Sequence, residues 1–468
     1  MENLWILTEE RPKPEVIVTI LETFAKDKNI ACIINPIRIL PVLENKKFNF
    51  SYEVIGFHCN SIKKVFIKSV SGFSSFVDFL IFYQDNQPTQ NDIPLYAIEE
   101  TKTDDKESRN TGVYQRASKF VFMDLFYKNK NINKIMLYNI KVGQKDKPTV
   151  TYVFGTRLLL TLGVKIIGKV LDEETFKPFA SVQEIIDFKD NMRNAPSGNV
   201  PIAINQVENK IEVSGRLIKN DSLSHDPNIG ALSLICAAIR NLGWDGKITI
   251  TKHGLEQKHL SHRNKFIQIA NLLRIEVDGL NVPQTGPKNN YYWKYEEKSE
   301  KLGTIFIHLV VENFTEGYSI FENHAGCEKG YFLTKEGGYI PLAKYSDRVA
   351  YKNGNKDKII SIPDLILIDF VKCEIINIEG KQYGNMTQGF KDLEGFDDIE
   401  RLYIKKYYPE FEIIRTVVLY GGNRNEIEEA KVGFLLNENG DLVLAIWSPY
   451  LFKQAIKNLK DFWSKCKV

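Results

Sequence analysis

Two clusters of residues in this sequence carry side chains suited to metal-assisted hydrolysis. Each has an aspartate on one apolar segment and a Glu-x-Lys triplet at the end of the next: Asp78 with Glu100 and Lys102, and Asp364 with Glu379 and Lys381. Carboxylate oxygens are the ligands that Mg²⁺ prefers, and a lysine ammonium can orient a water molecule or hold a phosphate as a point charge. These residue types predict two centres for metal-dependent hydrolysis of a phosphodiester.

The first cluster requires two antiparallel strands joined by the polar loop 84–92. Side chains alternate along a strand, so Glu100 and Lys102 share one face of the second strand. With the loop at the centre of the hairpin, Asp78 is expected to lie opposite Glu100. Cross-strand neighbours are about 4.5–5.5 Å apart, so the two carboxylates can share one ion.

The second cluster is expected to have the same arrangement. A turn near residue 370 places Asp364 diagonal to Glu379, and Lys381 shares the face of Glu379. The triplet Glu-x-Lys occurs seven times in the chain, which is near chance in a sequence rich in both residues. Only the triplets at Glu100 and Glu379 follow an apolar strand whose partner strand carries an aspartate, so the paired strands carry the prediction.

Hydrophobic periodicity predicts the order helix, strand, strand, helix, strand at both ends of the chain, with one further strand, 50–57, after the first helix of the N-terminal end. The predicted helices are 14–28, 111–129, 226–244, 298–314 and 389–407. The predicted strands are 50–57, 76–83, 93–102, 133–142, 359–370, 373–383 and 412–422. A strand, helix and strand that follow a hairpin imply a mixed sheet with a right-handed crossover.

Composition and linkers predict three modules. The chain has 468 residues, of which 43 % are hydrophobic and 26 % charged, and this excludes a wholly disordered, collagen-like or coiled-coil protein. Turn and linker residues are concentrated at 193–228 and 281–290. The modules are therefore expected at 1–195, 196–290 and 291–468.

The middle module is expected to be mainly helical and to connect the outer modules or to recognise DNA. Residues 254–275 fit a helix–turn–helix, and basic side chains on such a helix can read base edges in a major groove. The candidate DNA contacts are Lys258, His262, Arg263 and Lys265.

The two outer modules resemble the PD-(D/E)xK nucleases, the fold of most type II restriction endonucleases. The resemblance is carried by FVDFLIFY…LYAIEETK and IPDLILID…IINIEGK, and Val77 stands where the first motif would have its proline. It covers the two outer modules. It implies an α/β (α+β) fold with two restriction-endonuclease-like mixed-sheet units and flanking helices, joined by the helical middle module.

The resemblance also implies roles for single residues. The expected metal ligands are Asp78, Glu100, Asp364 and Glu379, and the lysines expected to assist the attacking water are Lys102 and Lys381. Family members often add an acidic residue from the first helix, for which the candidates are Glu22, Glu300 and Glu312. Side chains that could contact phosphate or support the site from the next helix are Gln115 and Arg116.

These observations predict a Mg²⁺-dependent endonuclease that cuts double-stranded DNA, most similar to a type II restriction enzyme. Two centres would let one chain cut both strands as a monomer, and a cognate DNA methyltransferase is expected in the same cell. Three alternatives stay open. In the first, one unit is a degenerate nuclease fold that binds DNA. In the second, the enzyme is a repair or phage-defence nuclease for other nucleic acids. In the third, both clusters are ion pairs in a protein that is not a nuclease.

The net charge, the cysteines and the short motifs further limit the classes of protein to which the chain can belong. The formal net charge is +3, so charge alone neither requires nor excludes a nucleic acid. Six cysteines without a CxxC pair fit a reducing cytoplasm rather than a zinc ribbon. We expect no signal peptide, no membrane span and, because no P-loop occurs, no use of ATP.

Overall fold

The computed structural model describes most of the chain: residues 1–72, 76–101, 112–128, 131–138, 149–169, 171–192, 203–215, 227–260, 265–284, 291–323, 331–341 and 361–466. These residues form a mixed α/β protein with several mixed sheets, as the sequence predicts. The chain folds into two compact units: unit 1 comprises 1–71, 84–87 and 295–468, and unit 2 comprises 72–83 and 88–294. None of the described helices is long and apolar enough to cross a bilayer.

The strands in the described residues are β1 Glu2–Thr8, β2 Cys32–Glu44, β3 Lys47–Cys59, β4 Ile62–Gly72, β5 Phe79–Tyr83, β6 Tyr96–Thr101, β7 Asn133–Tyr138, β8 Lys165–Ile167, β9 Ala203–Val207, β10 Lys210–Ser214, β11 Lys247–Thr251, β12 Ile275–Val277, β13 Trp293–Tyr295, β14 Tyr318–Glu322, β15 Tyr331–Leu333, β16 Tyr339–Pro341, β17 Leu365–Asp369, β18 Glu374–Gln382, β19 Glu412–Tyr420, β20 Val432–Leu436 and β21 Leu442–Leu444.

The longer helices in the described residues are α1 Pro14–Lys28, α2 Gly112–Tyr127, α3 Val150–Thr161, α4 Val182–Asn191, α5 Pro227–Asn241, α6 Lys265–Leu272, α7 Lys301–Phe314, α8 Met386–Glu394 and α9 Tyr450–Lys465. Shorter helical turns follow α8, among them a π-helical stretch at Glu400–Ile404. Most predicted elements are confirmed within a few residues of their expected ends, and α1 occupies the predicted range.

Unit 1 is organised around α7. Every residue of this helix from Leu302 to Val311 is buried, as expected of a helix that lies inside a core. It packs against β2 and against β18 and β19. The ring of Phe306 illustrates this position, since its centroid lies 4.8 Å from that of Phe48 and 5.6 Å from that of Phe434.

The larger sheet of unit 1 has the strand order β14-β17-β18-β19-β20-β21. The first three strands are antiparallel neighbours, whereas β18, β19 and β20 run parallel. A parallel neighbour requires a crossover connection, which α8 and the turns after it supply between β18 and β19. The N-terminal strands of this unit form a sheet segment in the order β2-β3-β4-β1, and β15 and β16 form a separate two-stranded sheet.

Unit 2 contains the same strand arrangement twice. The order β5-β6-β7-β8 is repeated as β9-β10-β11-β12, and in both sets one antiparallel pair is followed by two parallel pairs. Helices α2 and α3 connect the first set, and α5 and α6 connect the second. The equivalent helices α2 and α5 pack against each other. Strands β17 to β20 of unit 1 follow the same order.

The two units differ from the predicted division at 195 and 290. Residues 1–71 belong with the C-terminal segment because β2 covers α7, and the remainder of the predicted first module joins the middle module because α2 packs on α5. The linker-like composition near 193–228 therefore does not separate compact units.

The expectation that the middle module is mainly helical is also wrong, because it contains a four-stranded sheet. In its 254–275 segment the described residues form a short 3-10 turn, Gln257–His259, and the single helix α6. The strands β9 to β12 are only three to five residues long, and such short apolar runs resemble helix segments in sequence.

A buried network ties the start of the chain to α7. The Arg11 guanidinium donates to Glu322 Oε2 at 2.7 Å and to Glu312 Oε2 at 3.0 Å, Lys13 Nζ lies 2.6 Å from Glu322 Oε1, and His308 Nε2 lies 2.9 Å from Glu312 Oε1. Burial opposes ionisation of both glutamates, but their cationic neighbours outweigh it. The pKa of each carboxyl is therefore held below its usual range.

We expect Arg11→Met to lower the free energy of unfolding by about 3 kcal/mol, because two buried carboxylates lose their shared cation. Urea denaturation at pH 7 measures this. The matched control is Lys63→Met, which removes a lysine from an exposed ion pair with Asp85 and should cost less than about 1 kcal/mol. Equal costs for the two variants would contradict the role given to Arg11.

The network also predicts a pH dependence. A carboxyl whose pKa is lower in the folded state stabilises the fold above its unfolded pKa, about 4.3 for glutamate, and this stabilisation is lost as the pH falls through the folded value. The difference in stability between wild type and Arg11→Met should therefore shrink below pH ~4. A difference that stays constant down to pH 2 would contradict the assignment.

Candidate functional site

Asp364 and Glu379 face each other at the end of the β17–β18 hairpin. The antiparallel register pairs Leu365 with Ile378, so the next positions, Asp364 and Glu379, lie opposite one another. The sequence predicts a diagonal placement instead. Glu379 is 8 % exposed, whereas Asp364 is partly exposed. The hairpin thus brings the two predicted carboxylates together, one of them buried and the other partly exposed.

The backbone of β18 fixes the orientation of Asp364. The N–H of Gly380 donates to Asp364 Oδ2 at 2.8 Å. A Cβ on Gly380 would lie 2.6 Å from Cγ2 of Thr304 on α7 and 3.1 Å from Asp364 Oδ2. Glycine between Glu379 and Lys381 is therefore required by the close approach of α7 to the hairpin.

Lys381 lies beside the carboxylate pair and is held from two sides. Its Nζ is 2.5 Å from Glu379 Oε1 and 3.1 Å from Oδ2 of Asp392 on α8. Gln388 donates in turn to Oδ1 of Asp392 at 2.8 Å. Burial lowers the pKa of the Lys381 ammonium, but the bonds to Glu379 and Asp392 outweigh burial and raise it, so the lysine is a cation at neutral pH.

Negative charge exceeds positive charge at this site. Burial is the main cause that raises the pKa values of Asp364 and Glu379, and each is raised further by neighbouring carboxylates: Glu300 and Asp392 act on Asp364, while Asp364 and Asp392 act on Glu379. Lys381 opposes both shifts without cancelling them. The site therefore has a carboxylate pair that one further cation would stabilise.

The three acidic candidates from the first helices lie in different places. Glu300 immediately precedes α7 and acts on Asp364 through its charge. Glu312, on the same helix, belongs to the Arg11 network. Glu22 is exposed on α1. Of the three, only Glu300 acts on the carboxylate pair.

The first predicted cluster is shifted by one residue from its expected register. The pairing of Phe79 with Ile98 places Asp78 opposite Glu99, not Glu100. The N–H of Glu100 donates to Asp78 Oδ2 at 2.7 Å, which is the bond that Gly380 makes in unit 1. Glu99 is thus the counterpart of Glu379 and Glu100 that of Gly380.

The lysine of this cluster comes from a helix rather than from the strand. Thr101 occupies the position of Lys381, and Lys102 lies outside the described residues. Instead, Nζ of Lys119 on α2 lies 2.7 and 2.9 Å from the two Glu99 oxygens and 3.4 Å from Asp78 Oδ1.

Strands β9 and β10 carry neither carboxylate at the corresponding positions. Their register pairs Val213 with Ile204 and Ser214 with Ala203, so Ala203 and Ser214 stand where the other two hairpins have Asp and Glu. The N–H of Ala203 donates to Ser214 Oγ at 3.2 Å. Neither Ala203 nor Ser214 offers a carboxylate to a metal ion.

Little of the predicted DNA-contacting set falls within the described structure. Lys258 is exposed, and its Nζ lies 2.7 Å from Oε2 of Glu256. His262 and Arg263 lie outside the described residues, as do the side chains of Lys265 and Gln115. Arg116 donates to the backbone oxygen of Glu100 at 2.7 Å.

Sequence reasoning missed three charged residues at these sites: Glu99, Lys119 and Asp392. A hairpin symmetric about its loop places Glu100 opposite Asp78 and turns Glu99 to the other face, whereas the observed register places Glu99 opposite Asp78. Lys119 and Asp392 come from the helices that follow the hairpins. A search for charged residues in the helix after each Glu-x-Lys strand would have found both.

Within the described residues, no group of three or more His, Cys, Asp and Glu side chains is disposed to hold a metal ion. The donor set of unit 1 is instead a pair of carboxylates, and Mg²⁺ is commonly bound through one or two carboxylates while it keeps several waters. Comparisons with protein-family models, with curated proteins and with solved structures find no match to this chain.

The approach of α7 to Gly380 generates a stability prediction. Gly380→Ala should lower the free energy of unfolding by about 1–3 kcal/mol, since the added methyl group overlaps Thr304. The control is Gly384→Ala, because no heavy atom lies within 4 Å of a Cβ at that position. Thermal unfolding compares them, and an equal melting temperature for the two variants would contradict the packing described here.

Proposed function

We propose that the chain is a metal-dependent endonuclease whose catalytic centre consists of Asp364, Glu379 and Lys381 in unit 1. The observation that carries the proposal is the opposed carboxylate pair, buried enough to raise both pKa values and balanced by only one lysine. A divalent cation would relieve this repulsion, and the donor set suits Mg²⁺. The hairpin, crossover helix and parallel strand around it are also consistent with a restriction-endonuclease-like unit.

Each residue has a role in this proposal. Asp364 and Glu379 would hold Mg²⁺, which when bound polarises a phosphodiester and lowers the pKa of the attacking water. The Lys381 ammonium is placed to orient that water or to hold the scissile phosphate. Asp392 is a positioning residue for Lys381, and the Gly380 N–H keeps Asp364 turned toward the site.

The substrate class rests on the resemblance of the motifs. Double-stranded DNA and the type II restriction class belong to the proposal on that ground. The sequence leaves open whether both units are catalytic or only one, and we propose a single catalytic unit. The Asp78–Glu99 pair in unit 2 is already bridged by Lys119, so unit 2 is better suited to a degenerate, supporting role than to cutting the second strand.

Cleavage of a large genomic DNA of varied sequence tests the proposal, because such DNA contains most short recognition sites. We expect fragments with Mg²⁺ and none with EDTA. Glu379→Gln, Asp364→Asn and Lys381→Met should each reduce the rate by about 100-fold or more. The matched control is Glu374→Gln, at the opposite end of the same strand, which should cleave like wild type.

Two outcomes would contradict the proposal. Cleavage that is equal in EDTA would exclude the metal centre, and full activity of Glu379→Gln would move catalysis elsewhere. A parallel digestion of defined RNA and single-stranded DNA tests the substrate. Cleavage confined to RNA would replace duplex DNA as the substrate while leaving the metal centre in place.

A further inference from the structure

The hairpins β17–β18 and β5–β6 present the same carboxylate pair on the same backbone. In both, the aspartate stands just before the first strand and lies opposite a glutamate of the second. In both, the aspartate Oδ2 accepts the N–H of the residue after that glutamate, at 2.8 Å in unit 1 and 2.7 Å in unit 2. The two sites differ in their cations, not in their carboxylates.

The lysines occupy different positions relative to the pair. In unit 1 the hydrogen-bond partners of Lys381 are Glu379 and the helix residue Asp392. In unit 2, Nζ of Lys119 lies within 3.4 Å of both carboxylates of the pair, Asp78 and Glu99. The Lys119 ammonium therefore sits where an ion shared by the two carboxylates would have to bind.

The charges around the carboxylate pair also differ between the two units. The carboxylate of Glu99 is fully buried, and Arg116 Nη1 lies 3.5 Å from its Oε1 as a second cation. Two carboxylates thus meet two cationic side chains, whereas in unit 1 further carboxylates surround the pair. Burial lowers the pKa of Lys119, but Asp78 and Glu99 outweigh burial and raise it, so the ammonium stays charged.

We propose that Lys119 is a resident cation that replaces a divalent ion at the Asp78–Glu99 pair, so that unit 2 contains a latent metal site closed by its own lysine. The residues of unit 2 as they stand do not fit a metal ion, and those of unit 1 do. The inference rests on the proposed function only for the metal site of unit 1. It further implies that removal of the lysine would open a second divalent-ion site.

Counting bound Mn²⁺ ions by electron paramagnetic resonance tests this on the full-length protein. Wild type should bind one Mn²⁺ per chain at the carboxylate pairs. Glu379→Gln should bind none there, and Glu99→Gln should still bind one. Lys119→Met should raise the count from one to two, and Lys119→Met with Glu99→Gln should return it to one. The control Lys134→Met removes a lysine that pairs with one carboxylate, Asp124, and should leave the count at one.

The outcomes separate this inference from the proposed function. Two ions in wild type, one of them lost in Glu99→Gln, would overturn the inference and leave the function intact, and this arm does not depend on how well Lys119→Met folds. A folded Lys119→Met that gains no ion would also overturn it. No ion in wild type but one in Lys119→Met would overturn the proposed metal site of unit 1 and support the role of Lys119.

Discussion

Repulsion between two carboxylates that face each other at the end of a hairpin is the constraint on which both charged sites depend. Neighbouring strands hold the oxygens close, burial removes the water that would screen them, and a nearby cation has to restore the balance. In unit 2 the side chains of Lys119 and Arg116 supply positive charge, although burial and Asp78 still raise the pKa of Glu99. In unit 1 a single lysine is shared with a third carboxylate, so less positive charge balances the pair.

The two carboxylate pairs stand on the same backbone arrangement, but their charge is balanced differently. Strand order and direction are the same for β5 to β8, β9 to β12 and β17 to β20, so each hairpin end offers two opposed positions and an approaching helix. Asp and Glu fill these positions twice, and Ala203 and Ser214 fill them once. The residue that the helix contributes is Lys119 in one site and Asp392 in another, and this contribution decides how the charge is balanced.

The sequence predicts that Asp364, Glu379 and Lys381 come together because they stand on or next to two adjacent strands, where alternation fixes their faces. It fails by one residue at Glu99, since register depends on the hairpin loop and a shift of one residue exchanges the two faces of a strand. It cannot place Lys119, because no strand pattern sets the rotation of the following helix. The division into units follows from the burial of α7 by strands that are distant in sequence. No local sequence pattern predicts such a contact.

Anomalous diffraction from crystals grown with Mn²⁺ would locate the ion relative to both carboxylate pairs. We expect a peak about 2.0–2.3 Å from oxygens of Asp364 and Glu379, and at the other pair only the Lys119 ammonium. A protein that binds Mn²⁺ elsewhere and leaves Asp364 and Glu379 without a peak would contradict the proposed metal site.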